Sequence, residues 1–203
     1  IDAGATSGTI TIDGIIDDLI DEANETVVVT LSNPSNATLG ADNVHTYTIT
    51  DNDNAPVVGF SIPSSSGAES TSSAAITIDL SAASGQNVTV DFAVSGTATG
   101  SGTDYTLANG TLTIGAGVTS ETITISGIFD DAADEADETV IITLSNPSNA
   151  TFGGNSVHTY TITDNDDAPE VGFNANSSSE TESVSSAGLT VDLSAASSQD
   201  VTV

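Results

Sequence analysis

The stretch Val157-His158-Thr159-Tyr160-Thr161-Ile162-Thr163-Asp164-Asn165-Asp166 repeats Val44 to Asp53 residue for residue, 113 positions further along. Threonine alternates with apolar and aromatic residues, the period-two pattern of a half-buried strand. Sliding the whole chain by the same 113 positions aligns 1–90 with 114–203 without a gap, and 63 of the 90 overlapping positions are identical. The chain therefore reads as about 1.8 copies of a repeated unit, cut from a longer array.

Asn54-Ala55-Pro56 and Asp167-Ala168-Pro169 mark the boundaries, because proline stops a central strand and biases the preceding residue toward extended geometry. The expected domains are the back of one module at 1–54, a complete module at 57–167 and the front of a third at 170–203. Within the complete module, Ala75–Leu80, Val88–Val94, Thr122–Ile125, Thr139–Leu144 and His158–Thr163 all alternate. Clusters such as Ser145-Asn146-Pro147-Ser148-Asn149 punctuate them. About seven strands in about 110 residues predict an all-β fold, with each module an immunoglobulin-like, seven-stranded antiparallel sandwich. Asp130 to Asp137 is the only helix-like run, and it is too short and acidic to matter as a helix.

Charge narrows the function. The chain holds 29 Asp and Glu against no Lys, Arg or Cys, and two His, for a formal net charge of −29. Nothing can neutralise phosphate, so nucleic acid is excluded as a partner. A polybasic membrane contact, disulfides and thiol chemistry are excluded as well. No apolar run is long enough for a membrane-spanning helix.

The acids cluster. Asp130-Asp131-Ala132-Ala133-Asp134-Glu135-Ala136-Asp137-Glu138 has an earlier copy in Asp17 to Glu25, and Asp164-Asn165-Asp166 has one in Asp51-Asn52-Asp53. Asp17, Asp18, Asp21, Glu22, Glu25, Asp51, Asp53, Glu69 and Asp79 each keep an acid in the partner copy, whereas Asp2, Asp13 and Asp42 do not. Two carboxylates about 4 Å apart repel by roughly 4 kcal/mol at an effective dielectric near 20. A few such pairs rival the whole stability of a domain, about 5–15 kcal/mol. The counter-charge must come from solution, and hard oxygen donors suit Ca2+. Mg2+ fits less well because it keeps its waters, and Zn2+ or Cu2+ would want His or Cys.

At these residues the sequence resembles the Calx-beta family, through Asp130-Asp131, Glu135, Glu138, the strand Thr139-Val140-Ile141 and the closing Asp164-Asn165-Asp166. Glu69 after Gly59-Phe60, and Asp104 in Gly102-Thr103-Asp104-Tyr105, complete the pattern. The resemblance implies Ca2+ bound by loops at one end of each sandwich. The implied ligands in the complete module are Glu69, Asp104, Asp130, Asp131, Glu135, Glu138, Asp164 and Asp166. The first module supplies Asp17, Asp18, Glu22, Glu25, Asp51 and Asp53, with its glutamate and aspartate partners expected before residue 1. The third supplies Glu182. Asn52 and Asn165 replace a third aspartate, which removes one charge per module.

Other chemistry is weak. His45 and His158 share strand parity with Tyr47 and Tyr160, as packing residues do. No Gly-x-Ser-x-Gly turn accompanies the many serines, and few aromatics could form a sugar platform for a carboxylate pair. Asn-x-Ser/Thr sequons occur at Asn24, Asn36, Asn87, Asn109, Asn149 and Asn176, several of them by composition alone. The run Ser61 to Ser73 reads as a loop at the ion site. The expected protein is non-catalytic: an extracellular, bacterial surface array stiffened by Ca2+, serving as an adhesin stalk or fibre block whose partners are its own neighbouring modules. The alternative is a self-assembling filament or sheath in which identical chains contact or exchange strands. A calcium sensor regulating a transporter is a third class, disfavoured by the near-identical repeats.

Overall fold

Thirteen strands and no helix form the secondary structure of the computed structural model, which describes residues 1–203. The chain divides into two units, Ile1–Asn54 and Ala55–Val203. In the first, β1 (Glu25–Thr30) and β2 (Val44–Ile49) pair as an antiparallel ribbon, with Glu25 opposite Ile49. The loop between them turns on Asn33 and Asn36, whose φ values of 49° and 57° recur at Asn146 and Asn149. Asparagine tolerates this left-handed geometry better than other side chains, which explains the repeated Asn-Pro-Ser-Asn.

The second unit holds the sandwich. Its strands are β3 (Val57–Phe60), β4 (Ser64–Ala68), β5 (Ser73–Leu80), β6 (Val88–Gly96), β7 (Gly110–Ile114), β8 (Ser120–Ser126), β9 (Glu138–Ser148), β10 (Thr151–Phe152) and β11 (Val157–Thr163). They make a four-stranded sheet in the order β10-β3-β5-β8 and a five-stranded sheet in the order β4-β11-β9-β6-β7. β3 and β4 are one edge strand broken at Ser61-Ile62-Pro63. Its first half pairs antiparallel with β5, and its second half pairs parallel with β11. Counted so, and leaving aside the two-residue β10, the module is a seven-stranded sandwich. Two short strands, β12 (Val171–Phe173) and β13 (Val191–Leu193), pair antiparallel in the region expected to open a third module.

Alternation builds the core. Val58, Phe60, Ile76, Ile78, Leu80, Ile123 and Ile125 face Val88, Val90, Val140, Ile142, Leu144, Tyr160 and Ile162, all of them buried. Burying a Val, Leu, Ile or Phe side chain contributes about 1.5–3 kcal/mol, so this face dominates folding.

His158 pins the strand break. It is 1% exposed. Its Nδ1 lies 2.9 Å from the Ile62 carbonyl and its Nε2 2.9 Å from Ser65 Oγ. A neutral ring satisfies both contacts, with Nδ1–H donating to the carbonyl and Nε2 accepting the serine hydroxyl. The ring also tilts against Phe60, with centroids 5.4 Å apart. His158 thus packs structurally, while His45 on β2 is exposed.

The Ser61–Ser73 run differs from its reading as a loop, since Ser64–Ala68 is β4. Serine has little strand propensity, but pairing with β11 supplies the hydrogen bonds that local sequence does not announce. Gly67 leaves room there for Tyr160, because a Cβ at that position would overlap Tyr160 Oη and force the ring to shift.

Candidate metal centre

The strand ends bring the acids to one pole of the sandwich. The Glu69 N–H donates to the Thr163 carbonyl at 3.1 Å, which sets the residue after β4 beside the end of β11. The Phe129 N–H donates to the Asp104 carbonyl at 3.0 Å and ties the acidic loop to the loop after β6. That second loop is anchored by buried Tyr105 and turns through Ser101 and Gly102, both at positive φ. Asp104 Oδ2 accepts the Thr99 N–H, which orients the carboxylate.

Glu69, Asp164 and Asp166 converge, with one carboxylate oxygen from each lying within 4.8 Å of the others. Glu69 is 7% exposed. Asp164 Oδ1 and Asp166 Oδ2 are buried and have no hydrogen-bond partner. Beside them, Glu69, Asp104, Asp131, Glu135 and Glu138 line a pocket of about 240 Å3 with Phe129 and Ile162. Glu69 belongs to both groups.

Crowding shows in the protonation. Burial, reinforced by Asp164 and Asp166, pushes the Glu69 carboxyl up to about 7. Burial raises Glu138 too, helped by Asp104 and then Glu135. Asp166 is raised by desolvation and by Asp164, Asp130 and Asp131. Each shift says that these carboxylates lack a positive partner.

Asp130 is placed differently from the others. Its Oδ1 accepts from Asn165 Nδ2 at 3.2 Å, while Asn165 Oδ1 receives the Ser70 N–H at 3.2 Å. The amide that replaces a third aspartate therefore stitches three loops together. Asp131 Oδ1 accepts the Ala133 N–H at 2.7 Å, a local turn that leaves its second oxygen for the pocket.

The first unit repeats the arrangement. Asp17, Asp18, Glu22, Glu25, Asp51 and Asp53 line one pocket of about 110 Å3. Asp18 Oδ1 accepts the Ile20 N–H as Asp131 accepts that of Ala133. Burial and Asp51, Asp17, Asp18 and Asp21 raise Asp53 just as Asp166 is raised. Glu182 stands apart, in an exposed turn outside any such cluster.

One role escaped the sequence reading. Asp137 Oδ1 accepts the Asp164 N–H at 3.2 Å, and Asn24 Oδ1 accepts the Asp51 N–H at 2.9 Å. The exchange of Asp for Asn between copies was the available signal, because both accept a hydrogen bond and only one is charged.

The donor set fits a hard divalent cation. All the donors are oxygens, two are orphaned and buried, and the carboxylates exceed what the fold can neutralise.

A sandwich whose loops gather carboxylates at one pole defines an acidic β-module of the immunoglobulin-like class. The Calx-beta domain family matches residues 2–53 and 51–166, and the chain belongs to that family. Among solved structures, it is similar to the apo-form Calx CBD1 domain at 24% identity and a TM-score of 0.50, over 56% of this chain and 100% of that one. It is similar to CBD12 from CALX1.2 at 24% identity and a TM-score of 0.50, over 58% and 48% respectively. For the calcium binding domain CBD12 of CALX1.1 the figures are 26%, 0.50, 63% and 53%. The chain thus spans about half the length of the two CBD12 chains. No curated protein matches the sequence.

Proposed function

We propose that this chain is a calcium-binding structural array, in which Ca2+ at the module ends stiffens an extracellular surface stalk or fibre. The observation that carries it is the convergence of Glu69, Asp164 and Asp166 with two buried, unpartnered oxygens, in a chain without Lys or Arg. The likeness to CBD12 of CALX1.1, a calcium binding domain, supports the same reading.

In the complete module, Glu69, Asp164 and Asp166 hold one position, and Asp104, Asp131, Glu135 and Glu138 face a second. Asp130 sits at the rim, its oxygen shared with Asn165. In the first unit, Asp17, Asp18, Glu22, Glu25, Asp51 and Asp53 take the corresponding roles. A bound Ca2+ supplies the positive charge that lets neighbouring carboxylates ionise together. The fold supplies orientation, because Glu69 and Asp164 are fixed to adjacent strand ends.

Extracellular modules commonly bind Ca2+ at about 10⁻⁴–10⁻³ M, so external calcium suffices and cytosolic calcium does not. A Ca2+-loaded array of this kind therefore belongs outside the cell, and a bacterial surface is the setting we propose for it. The test is calorimetric titration of the chelator-stripped chain with Ca2+ and, separately, Mg2+. Saturable heat with Ca2+, reduced in Asp164→Asn, supports the reading, and no heat in millimolar calcium overturns it. Light scattering on the loaded chain then separates a stalk, which stays monomeric, from a fibre-former, which elongates.

A further inference from the structure

Asp134 lies in the acidic loop between β8 and β9 and is not among the residues that line the ion candidates. It forms a parallel bridge with Ser197, in the turn that follows β13. The Ser198 N–H donates to the Asp134 carbonyl at 3.0 Å, and Ser197 Oγ–H donates to Asp134 Oδ2 at 3.0 Å. The Gln199 N–H donates to Ser197 Oγ at 3.1 Å and holds that hydroxyl in place. The Ser197 and Ser198 hydroxyls also each lie 3.3 Å from the Asp134 carbonyl, so one backbone bond and three hydroxyl contacts join the loop to residues beyond the Asp167-Ala168-Pro169 connector.

We propose that this contact is a junction latch: the acidic loop of one module seats the Ser-Ser-Gln turn of the next, and so sets the angle across the connector. The chemistry of the seat identifies its partner. An acidic loop would ordinarily dock a lysine or arginine, and this chain has neither. A turn that offers a hydroxyl and a free N–H satisfies the aspartate without a cation, through a charge-assisted hydrogen bond. Both halves are kept in the repeat, since Asp21, Ser84 and Gln86 stand 113 positions before Asp134, Ser197 and Gln199. The latch goes beyond the calcium reading and does not rest on it, because Asp134 is outside the proposed ligand set.

The absence of cysteine makes the test clean. In the full chain, the pair Asp134→Cys/Ser197→Cys should close an intrachain disulfide under mild oxidation, because bridged positions meet the short Cα separation a disulfide requires. The pair Ser120→Cys/Ser197→Cys, with Ser120 at the far end of β8, should not. Equal cross-linking of the two pairs overturns the proposal. Separately, spin labels on Thr124→Cys and Ser186→Cys report the distance across the connector by pulsed EPR. The unmodified latch should give a narrow distribution in chelator as well as in calcium. Asp134→Ala/Ser197→Ala should broaden it, as the docked-to-undocked ratio falls about fivefold for the lost hydrogen bond. The melting of the complete module should stay unchanged, which separates undocking from unfolding. A variant as narrow as its parent, or a parent already broad, overturns the proposal.

Discussion

Replacing Glu69 by glutamine should raise the stability of the metal-free module and lower what calcium adds. The carboxyl is buried and pushed up to about 7 from an ordinary 4.5. A group whose folded pKa is raised contributes stability that is fully present below the unfolded pKa and lost as pH rises through the folded one. At pH 8 Glu69 is ionised against its surroundings, and the shift corresponds to about 3 kcal/mol at ~1.36 kcal/mol per unit. Glutamine has nearly the same shape, keeps an oxygen for the Asn165 N–H and carries no charge. In chelator at pH 8, Glu69→Gln should therefore be more stable by about 2–3 kcal/mol, or roughly 10 °C in Tm for a module of this size. At pH 4.5 the two proteins should melt together. In calcium the order narrows or reverses, since the parent gains about 2.7 kcal/mol per site at a hundred times its Kd and the variant gains less. Thermal melts by circular dichroism, at two pH values with and without calcium, read all four cases. If Glu69→Gln melts below its parent in chelator at pH 8, the carboxylate is held by native hydrogen bonds and the reasoning fails.

Apparent calcium affinity should fall by about tenfold per pH unit below 7, because the Glu69 proton must leave before the ion enters; titrations at pH 8, 7 and 6 measure this. Asn165→Asp puts an acid where an amide donates to Asp130. It should cost about 1 kcal/mol in chelator and enlarge the gain on adding calcium, as differential scanning shows directly. His158→Ala leaves Ser65 and the Ile62 carbonyl unpaired beside a cavity, so stability should drop by about 3 kcal/mol. Calcium affinity should hold, since the ion pole lies about five residues along β11 from this ring. Gly67→Ala should lose about 1–3 kcal/mol by forcing Tyr160 aside, and should also weaken calcium binding through the displaced Glu69, which titration of the refolded variant tests.

Strands that alternate were legible because their periodicity is written in each segment. Thr139–Leu144 and His158–Thr163 fell inside β9 and β11, within a few residues at either end. Strand β4 was not legible, because Ser64-Ser65-Ser66-Gly67-Ala68 carries no apolar period. It becomes a strand through β11, which lies about 95 residues away. The edge strand β7 is hard to read for a related reason: it opens on Gly110, directly after Asn109, and Asn-Gly favours a turn. At the ion pole, the repeat separated fixed acids such as Glu69, Asp131, Glu135, Glu138, Asp164 and Asp166 from drifting ones, while Asp104, which has no second copy in the chain, entered only through the family resemblance. It did not reveal that Asp130 is engaged by Asn165 or that Asp134 serves a neighbouring turn. Those roles depend on where backbone N–H groups fall in space, and a list of carboxylates does not contain that information.

The parallel register of β4 with β11 bears on load. The first strand and the last run side by side in the same direction, from Ser64 opposite Thr159 to Ala68 opposite Thr163. Tension applied at the two ends of the module drags them lengthwise past each other. Their cross-links then share the force and must rupture together, unlike a ribbon peeled open one rung at a time. A protein built this way resists stretching through geometry that a thermal melt does not sense.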